Sequence, residues 1–173
     1  NHASHADFVL LWSTLPPDLR LRTRPVAGRD YWGLTVLRRF VGCEVFHALL
    51  IERQTGVPTT DPLEPMKSAL SLGHSLIIFP EGTRNTSDAQ LLAFKSGIYR
   101  LSQAYPQVQF VPVWIENLKR VLPKGALLPV PLACTVRYGQ ALAIEVGEDK
   151  AHFLTRARQA LLDLRPVHDR EGD

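Results

Sequence analysis

Short apolar runs of strand length alternate along this chain with stretches of helical spacing, and that alternation restricts the fold more than any other feature. Runs with β character fall at Arg24 to Ala27, Val45 to Ile51, Ser75 to Phe79, Val108 to Trp114 and Ala133 to Tyr138, with a weaker one at Ala141 to Val146. Between and after them, helical spacing runs through Asp30 to Val41, Asp61 to Leu72, Ala89 to Ala104 and Lys150 to Leu164, the last with Phe153, Leu154, Ala157, Leu161 and Leu164 on one stripe. The rhythm predicts an α/β fold: a single layered domain over residues 1–166, with a mixed, largely parallel sheet flanked by helices, and a polar tail over 167–173. Ligands of such folds gather at the carboxyl ends of strands, so the residues just after each apolar run are the first candidates for a site.

With 173 residues, 45% of them hydrophobic, the chain is long enough to bury a core without a metal or disulfide staple. Cys43 and Cys134 lack CxxC or Cys/His spacing and read as two free buried thiols. There is no internal repeat, no low-complexity segment, no secretory signal pattern and no apolar run of membrane-spanning length. The net charge of +3 is too small for a general nucleic-acid binder, so no nucleic-acid partner is expected. Its distribution is uneven. From Leu19 to Arg39 there are six arginines, Arg20, Arg22, Arg24, Arg29, Arg38 and Arg39, against the single acid Asp30, which leaves the remainder of the sequence at −2. That segment is either an anion-facing surface or a solvated charge run.

Three constellations carry chemistry. The first is Asn1-His2-Ala3-Ser4-His5-Ala6-Asp7. A turn folds Asp7 back onto one imidazole nitrogen of His2, fixing the tautomer and leaving the other nitrogen basic, which is a general-base arrangement. Read instead as metal ligands, His2, His5 and Asp7 lack a convincing fourth donor, because His47 and His74 sit in or beside strand runs and read as structural histidines. No metal and no cofactor are expected. The second constellation follows the strand run Ser75 to Phe79: Pro80 ends it, Gly82 permits a tight turn, and Thr83 and Arg84 offer donors for a phosphate. Glu81 in such an anion site must pair with an arginine or reach a ligand hydroxyl, since otherwise it repels the anion. The third is a pair of supports for that site, Lys95 in Phe94-Lys95-Ser96-Gly97, and Arg53 after Glu52 at the end of another apolar run. Gly73-His74-Ser75 begins like a serine-hydrolase elbow, but Ile77 replaces the last glycine and the strand follows the serine, so Ser75 is not a nucleophile.

These pieces together resemble the glycerolipid acyltransferase family. Its NHxSxxD block is matched by Asn1, His2, Ser4 and Asp7, and its apolar run ending in an acid and an arginine by Phe46 to Arg53. Its FPEGTR block runs unbroken from Phe79 to Arg84 with FKxG at Phe94 to Gly97, and its VPV strand is Val111 to Val113. Asn85 stands where the family often has serine, a departure expected to matter little. Leu15 to Thr23 does not continue the pattern. The resemblance implies transfer of a fatty acyl group from acyl-CoA or acyl carrier protein to the free hydroxyl of lysophosphatidic acid, giving phosphatidic acid. His2 is then the base and Asp7 its orienting partner, while Arg53, Glu81, Gly82, Thr83, Arg84 and Lys95 hold the acceptor's phosphate. It also implies a membrane-surface partner on the cytoplasmic face, reached peripherally through the arginine segment or by an anchor preceding Asn1. Another lysophospholipid acceptor, a metal-dependent hydrolase and a noncatalytic lipid-binding module are the alternatives.

Overall fold

The computed structural model describes residues 1–4, 7–52, 61–116 and 134–166. The predicted tail, 167–173, lies outside them. The protein has the predicted α/β fold, with a parallel three-stranded sheet and flanking helices, and it divides into two compact units: Phe8–Ile78, and Asn1–Asp7 together with Phe79–Asp173.

In the first unit the elements are α1 (Asp7–Thr14, which begins one residue before the unit), α2 (Pro17–Arg22), β1 (Thr23–Gly28), α3 (Arg29–Trp32), α4 (Val36–Phe40), β2 (Leu49–Ile51), α5 (Glu64–Ser71) and β3 (Ser75–Ile77). The strands pair in parallel in the order β2-β1-β3. Pro25 lies in the central strand, an unusual place for a residue without an amide donor. It is the last residue paired with β3, and the ladder to β2 starts one residue later at Val26, so the missing N–H falls at the edge of both ladders.

Three sequence expectations differ from the structure of this unit. The helical stretch Asp30 to Val41 is broken, because the Gly33 amide closes α3 onto the Arg29 carbonyl at 2.8 Å and the Thr35 hydroxyl caps a new helix by accepting from the Arg38 amide. The strand expected from Val45 is confined to Leu49–Ile51, since a π-helical turn, Val41–Val45, carries the backbone on past α4. Phe46 is drawn into an aromatic cluster, edge-on to Phe8 and Trp12 at 5.1 and 5.4 Å, instead of a ladder. His47 is exposed at φ 50°, a turn residue rather than a buried structural histidine. His74 does have a structural partner, with Nε2 3.2 Å from Arg24 Nη2.

The second unit holds α6 (Gly97–Ala104), β4 (Val113–Glu116), β5 (Thr135–Tyr138) and α7 (Lys150–Leu162), with β4 and β5 antiparallel. The stripe read on α7 is the one buried: Phe153, Ala157 and Leu161 face the core, and Asp149 caps the helix by accepting from the His152 amide. Leu91, Trp114 and Leu161 form a common cluster. The helix expected from Ala89 starts only at Gly97, because Leu91 and the Leu92 amide are used in the loop. The weak run at Ala141 to Val146 contributes a single bridge, Leu142 to Phe110. Both cysteines are free but half-buried, not buried as expected.

Candidate active site

All of the described site residues belong to the unit of Asn1–Asp7 and Phe79–Asp173. Asp7 opens α1 and is buried to 1% exposure. Its Oδ2 accepts from Ala3 N–H at 2.7 Å, from Ser4 N–H at 2.8 Å and from His2 Nδ1 at 2.8 Å. A carboxylate oxygen already receiving two amides is an acceptor, so the imidazole proton sits on Nδ1 and the lone pair on Nε2. The ring of His2, 12% exposed, stacks on Phe79 at 4.1 Å with 21° between planes. Among the described residues, Nε2 takes no hydrogen-bond partner. This is the base geometry that the His2/Asp7 spacing predicts.

The loop after Phe79 grips His2 by its backbone. Pro80 occupies the second position of a turn closed by Gly82 N–H donating to Phe79 C=O at 3.0 Å, and Gly82 has the left-handed φ of 71°. The Lys95 amide donates to Pro80 C=O at 2.7 Å, and the Lys95 stem lies over Gly82 so closely that a Cβ there would meet Lys95 Cγ at 3.1 Å. Gly82, Thr83, Arg84 and Lys95 are exposed, and among the described residues neither cation has an acidic partner. These four are the residues from which the sequence predicts an anion cradle; the structure sets the Lys95 stem over the Gly82 turn and leaves Thr83 and Arg84 exposed.

Glu81 departs from the expectation. Its side chain is buried, 1% exposed, and faces no arginine: Oε1 accepts from His2 N–H and Oε2 from Leu92 N–H, both at 2.8 Å. Burial and two amide donors satisfy the carboxylate without an arginine or a ligand. Asn85 is built into the same assembly. It is buried, its amide donates to His2 C=O at 2.7 Å, its Oδ1 accepts from the Ser87 amide and hydroxyl, and its Nδ2 donates to Ala89 C=O. Asn1 is a further residue that sequence reasoning left without a role: its side-chain amide mimics a strand partner, donating to Ile115 C=O and accepting from Ile115 N–H, both at 2.8 Å, on β4. Its place beside the histidine was the sole available signal.

Arg53 lies outside the described residues, as does His5, the third member of the metal-ligand reading. Glu52, beside Arg53, is an exposed residue paired with Arg29 at 3.4 Å.

An α/β domain that presents a carboxylate-oriented imidazole, held by a loop that also carries exposed cations, belongs to the class of proteins that hold the parts of a general base. The comparisons narrow the class. The family model described as "Acyltransferase" matches residues 1–116, and the chain belongs to that family. It is 32% identical over 161 residues to a Dictyostelium discoideum protein described as "Taffazin", covering 86% of this chain and 52% of that protein. The crystal structure of the 1-acyl-sn-glycerophosphate (LPA) acyltransferase PlsC from Thermotoga maritima matches with a TM-score of 0.72 over 100% of this chain and 65% of that one, at 16% identity, and has the same fold. The chain thus spans about half the length of the curated relative.

Proposed function

We propose that this domain is a glycerolipid acyltransferase that moves a fatty acyl group from a thioester, acyl-CoA or acyl carrier protein, to the free hydroxyl of lysophosphatidic acid. The observation that carries the reading is the Asp7-held imidazole of His2 on the same loop assembly as the cradle of Gly82, Thr83, Arg84 and Lys95. Nε2 takes the hydroxyl proton as the oxygen attacks the thioester carbonyl. The C–S bond then breaks, and the departing thiolate recovers the proton from the imidazolium, so His2 ends as it began. A positioned base supplies about 10²- to 10⁴-fold, and holding the two substrates together accounts for much of the rest. Family membership supports the acyl-transfer chemistry, and two unpaired cations support an acceptor that bears a phosphate.

The test is thiol release from acyl-CoA with a panel of lysolipids. Lysophosphatidic acid is expected to be the best acceptor, and His2→Ala is expected to abolish turnover while lysolipid binding survives. A protein that turns over without His2, or only after zinc is added, is not this enzyme. Because Arg84 and Lys95 recognise only a phosphate, a remodelling role on another lysophospholipid is the second reading, and preference for a larger head group in the panel would select it.

We further propose that the domain works at an anionic lipid surface through α4. Val36, Leu37 and Phe40 lie at helical neighbour positions and are 89%, 72% and 56% exposed, with Arg38 and Arg39 between them. The role expected of the arginine segment changes accordingly. Arg20 donates to Ser13 and Leu15 carbonyls and lies over Trp12, Arg24 meets His74, Arg29 meets Glu52 and Arg38 lies over the Tyr31 ring at 4.5 Å, so these four are engaged within their own unit. No helix among the described residues is long and apolar enough to cross a membrane.

A further inference from the structure

The loop 79–85 touches His2 at three points. Phe79 stacks on the ring, Glu81 accepts from the backbone amide, and the Asn85 amide donates to the backbone carbonyl. The three residues between the last two contacts, Gly82, Thr83 and Arg84, are the exposed ones. One short segment therefore divides its residues between holding the base and facing solvent. Asp7 sets the rotation of the imidazole about its own bonds but is only five residues from it, on the same local turn. It cannot fix where that turn lies relative to the cations. Glu81 can, because its carboxylate spans two amides far apart in sequence, those of His2 and Leu92. Leu92 leads into the Phe94-Lys95 segment, whose Lys95 amide is tied back to Pro80.

We propose that Glu81 is a positioning residue: its buried carboxylate registers the His2 backbone against the Arg84 and Lys95 segments and does not contact the acceptor. The proposal rests on the acyltransferase reading above. It contrasts with a phosphate-site or hydroxyl-binding role for the same side chain, which needs a carboxylate oxygen free to meet a ligand. Glutamine keeps the acceptor at one amide but turns an NH₂ toward the other N–H, a donor facing a donor. Aspartate keeps the charge but is one methylene short of spanning both amides. Each change lets the base drift, and a misplacement of about 1 Å costs on the order of 10²-fold in rate.

The experiment compares wild type, Glu81→Gln and Glu81→Asp in two reactions: transfer from acyl-CoA to lysophosphatidic acid, and transfer to glycerol, which has no phosphate. Both variants are expected to lose kcat by about 10²-fold, by the same factor with either acceptor, and to keep KM for lysophosphatidic acid within about threefold, the split that distinguishes loss of transition-state geometry from loss of ground-state binding. A loss seen only with the phosphate-bearing acceptor, or a KM rise without a kcat fall, overturns the proposal and returns Glu81 to the cradle. Full activity in both variants also overturns it. Wild type without transfer to either acceptor is a failure of the acyltransferase reading and is recognised before any variant is made. Should both variants fail to fold, amide hydrogen exchange on the wild type decides: slow exchange at His2 and Leu92 supports the clamp, and fast exchange at either amide refutes it.

Discussion

Replacing Asp7 with asparagine tests the base more sharply than deleting it, because the structure dictates which way the new amide must turn. In the native site Oδ2 receives all three donors, Ala3 N–H, Ser4 N–H and His2 Nδ1, while Oδ1 is buried with no partner. An asparagine with nitrogen at the Oδ2 position sets an NH₂ against three N–H donors. The opposite orientation keeps all three bonds, so Nδ1 stays protonated and Nε2 stays basic. What is lost is charge. A hydrogen bond to a charged partner contributes about 1.5–3 kcal/mol, and it is this contribution that strengthens as the imidazolium forms, which converts to about 10- to 150-fold in kcat. In a triad where the same substitution leaves the wrong tautomer, the loss is about 10⁴-fold. Stability falls as well, because two amide bonds weaken and the new NH₂ is buried without an acceptor, a cost of about 1–3 kcal/mol for that group alone. The assay is thiol release at saturating lysophosphatidic acid, with a melting curve on the same preparation. A loss as large as that of His2→Ala would show that the tautomer had flipped, and unchanged kcat would show that Asp7 does not act on the imidazole; either result refutes the reasoning.

Gly82→Ala places a Cβ at φ 71° and 3.1 Å from Lys95 Cγ, so it costs about 1–2 kcal/mol in backbone strain and displaces the Lys95 stem; the expected signature is a raised KM for the phosphate-bearing acceptor with a melting point lower by a few degrees, and an unchanged KM counts against the cradle. The hydrogen bond from Arg156 holds Glu148 down from its ordinary 4.5 to about 2, helped by the Glu145 amide and His152 against the cost of burial. A depressed carboxylate contributes stability that is complete above 4.5 and is lost as pH falls through about 2. The unfolding free-energy gap between wild type and Glu148→Gln is therefore expected to be constant just above about pH 5 and to close toward about pH 2. A gap of constant size across that range would contradict the assignment. For the α4 surface, Leu37→Glu with Phe40→Glu is expected to cut flotation with vesicles of about 70% phosphatidylcholine and 30% phosphatidylglycerol at least tenfold, and Arg39→Glu to weaken it only at low salt, each cation contributing about 1 kcal/mol near an anionic leaflet. Binding equal to wild type in the apolar variant, or a wild-type dimer in solution that the variant abolishes, removes the lipid-surface reading.

Much of this arrangement was legible from the sequence, and what was missed has two physical causes, competing local signals and long-range contacts. The α7 stripe, the positions of β1, β3 and β5 and the His2/Asp7 pair were readable because periodicity and short spacing act locally. The α3–α4 break was missed although Gly33 and Thr35 were in plain view, since a stop and a cap inside an apolar period compete with that period. The late start of β2 is a tertiary effect: Phe46 leaves the strand for Phe8 and Trp12. At the site, residue types were readable but partners were not. Sequence places Glu81 in the cradle because an acid beside a cationic turn has few uses that sequence can express. Its actual partners are backbone amides 79 and 11 residues away, which any residue other than proline could supply.

That invisibility bears on how the site is built. The contact of His2 that chemistry needs most, with Asp7, is local, whereas those that decide where the imidazole stands are long-range and run through the backbone: Glu81 and Asn85 to His2 itself, and Asn1 to Ile115, 114 residues on. A backbone anchor fixes position without competing for the ring, so Nδ1 remains for the carboxylate and Nε2 for the substrate. It also sets a different mutational logic for the two groups of residues. Changing Asp7 alters the electronic state of a base that is still in place, and a nearby charge can partly replace what is lost. Changing Glu81 leaves a competent base in the wrong place. No substitution on the ring side repairs that, so Asp7→Asn combined with Glu81→Gln is expected to lose little more than Glu81→Gln alone, the non-additivity of two residues that serve one group.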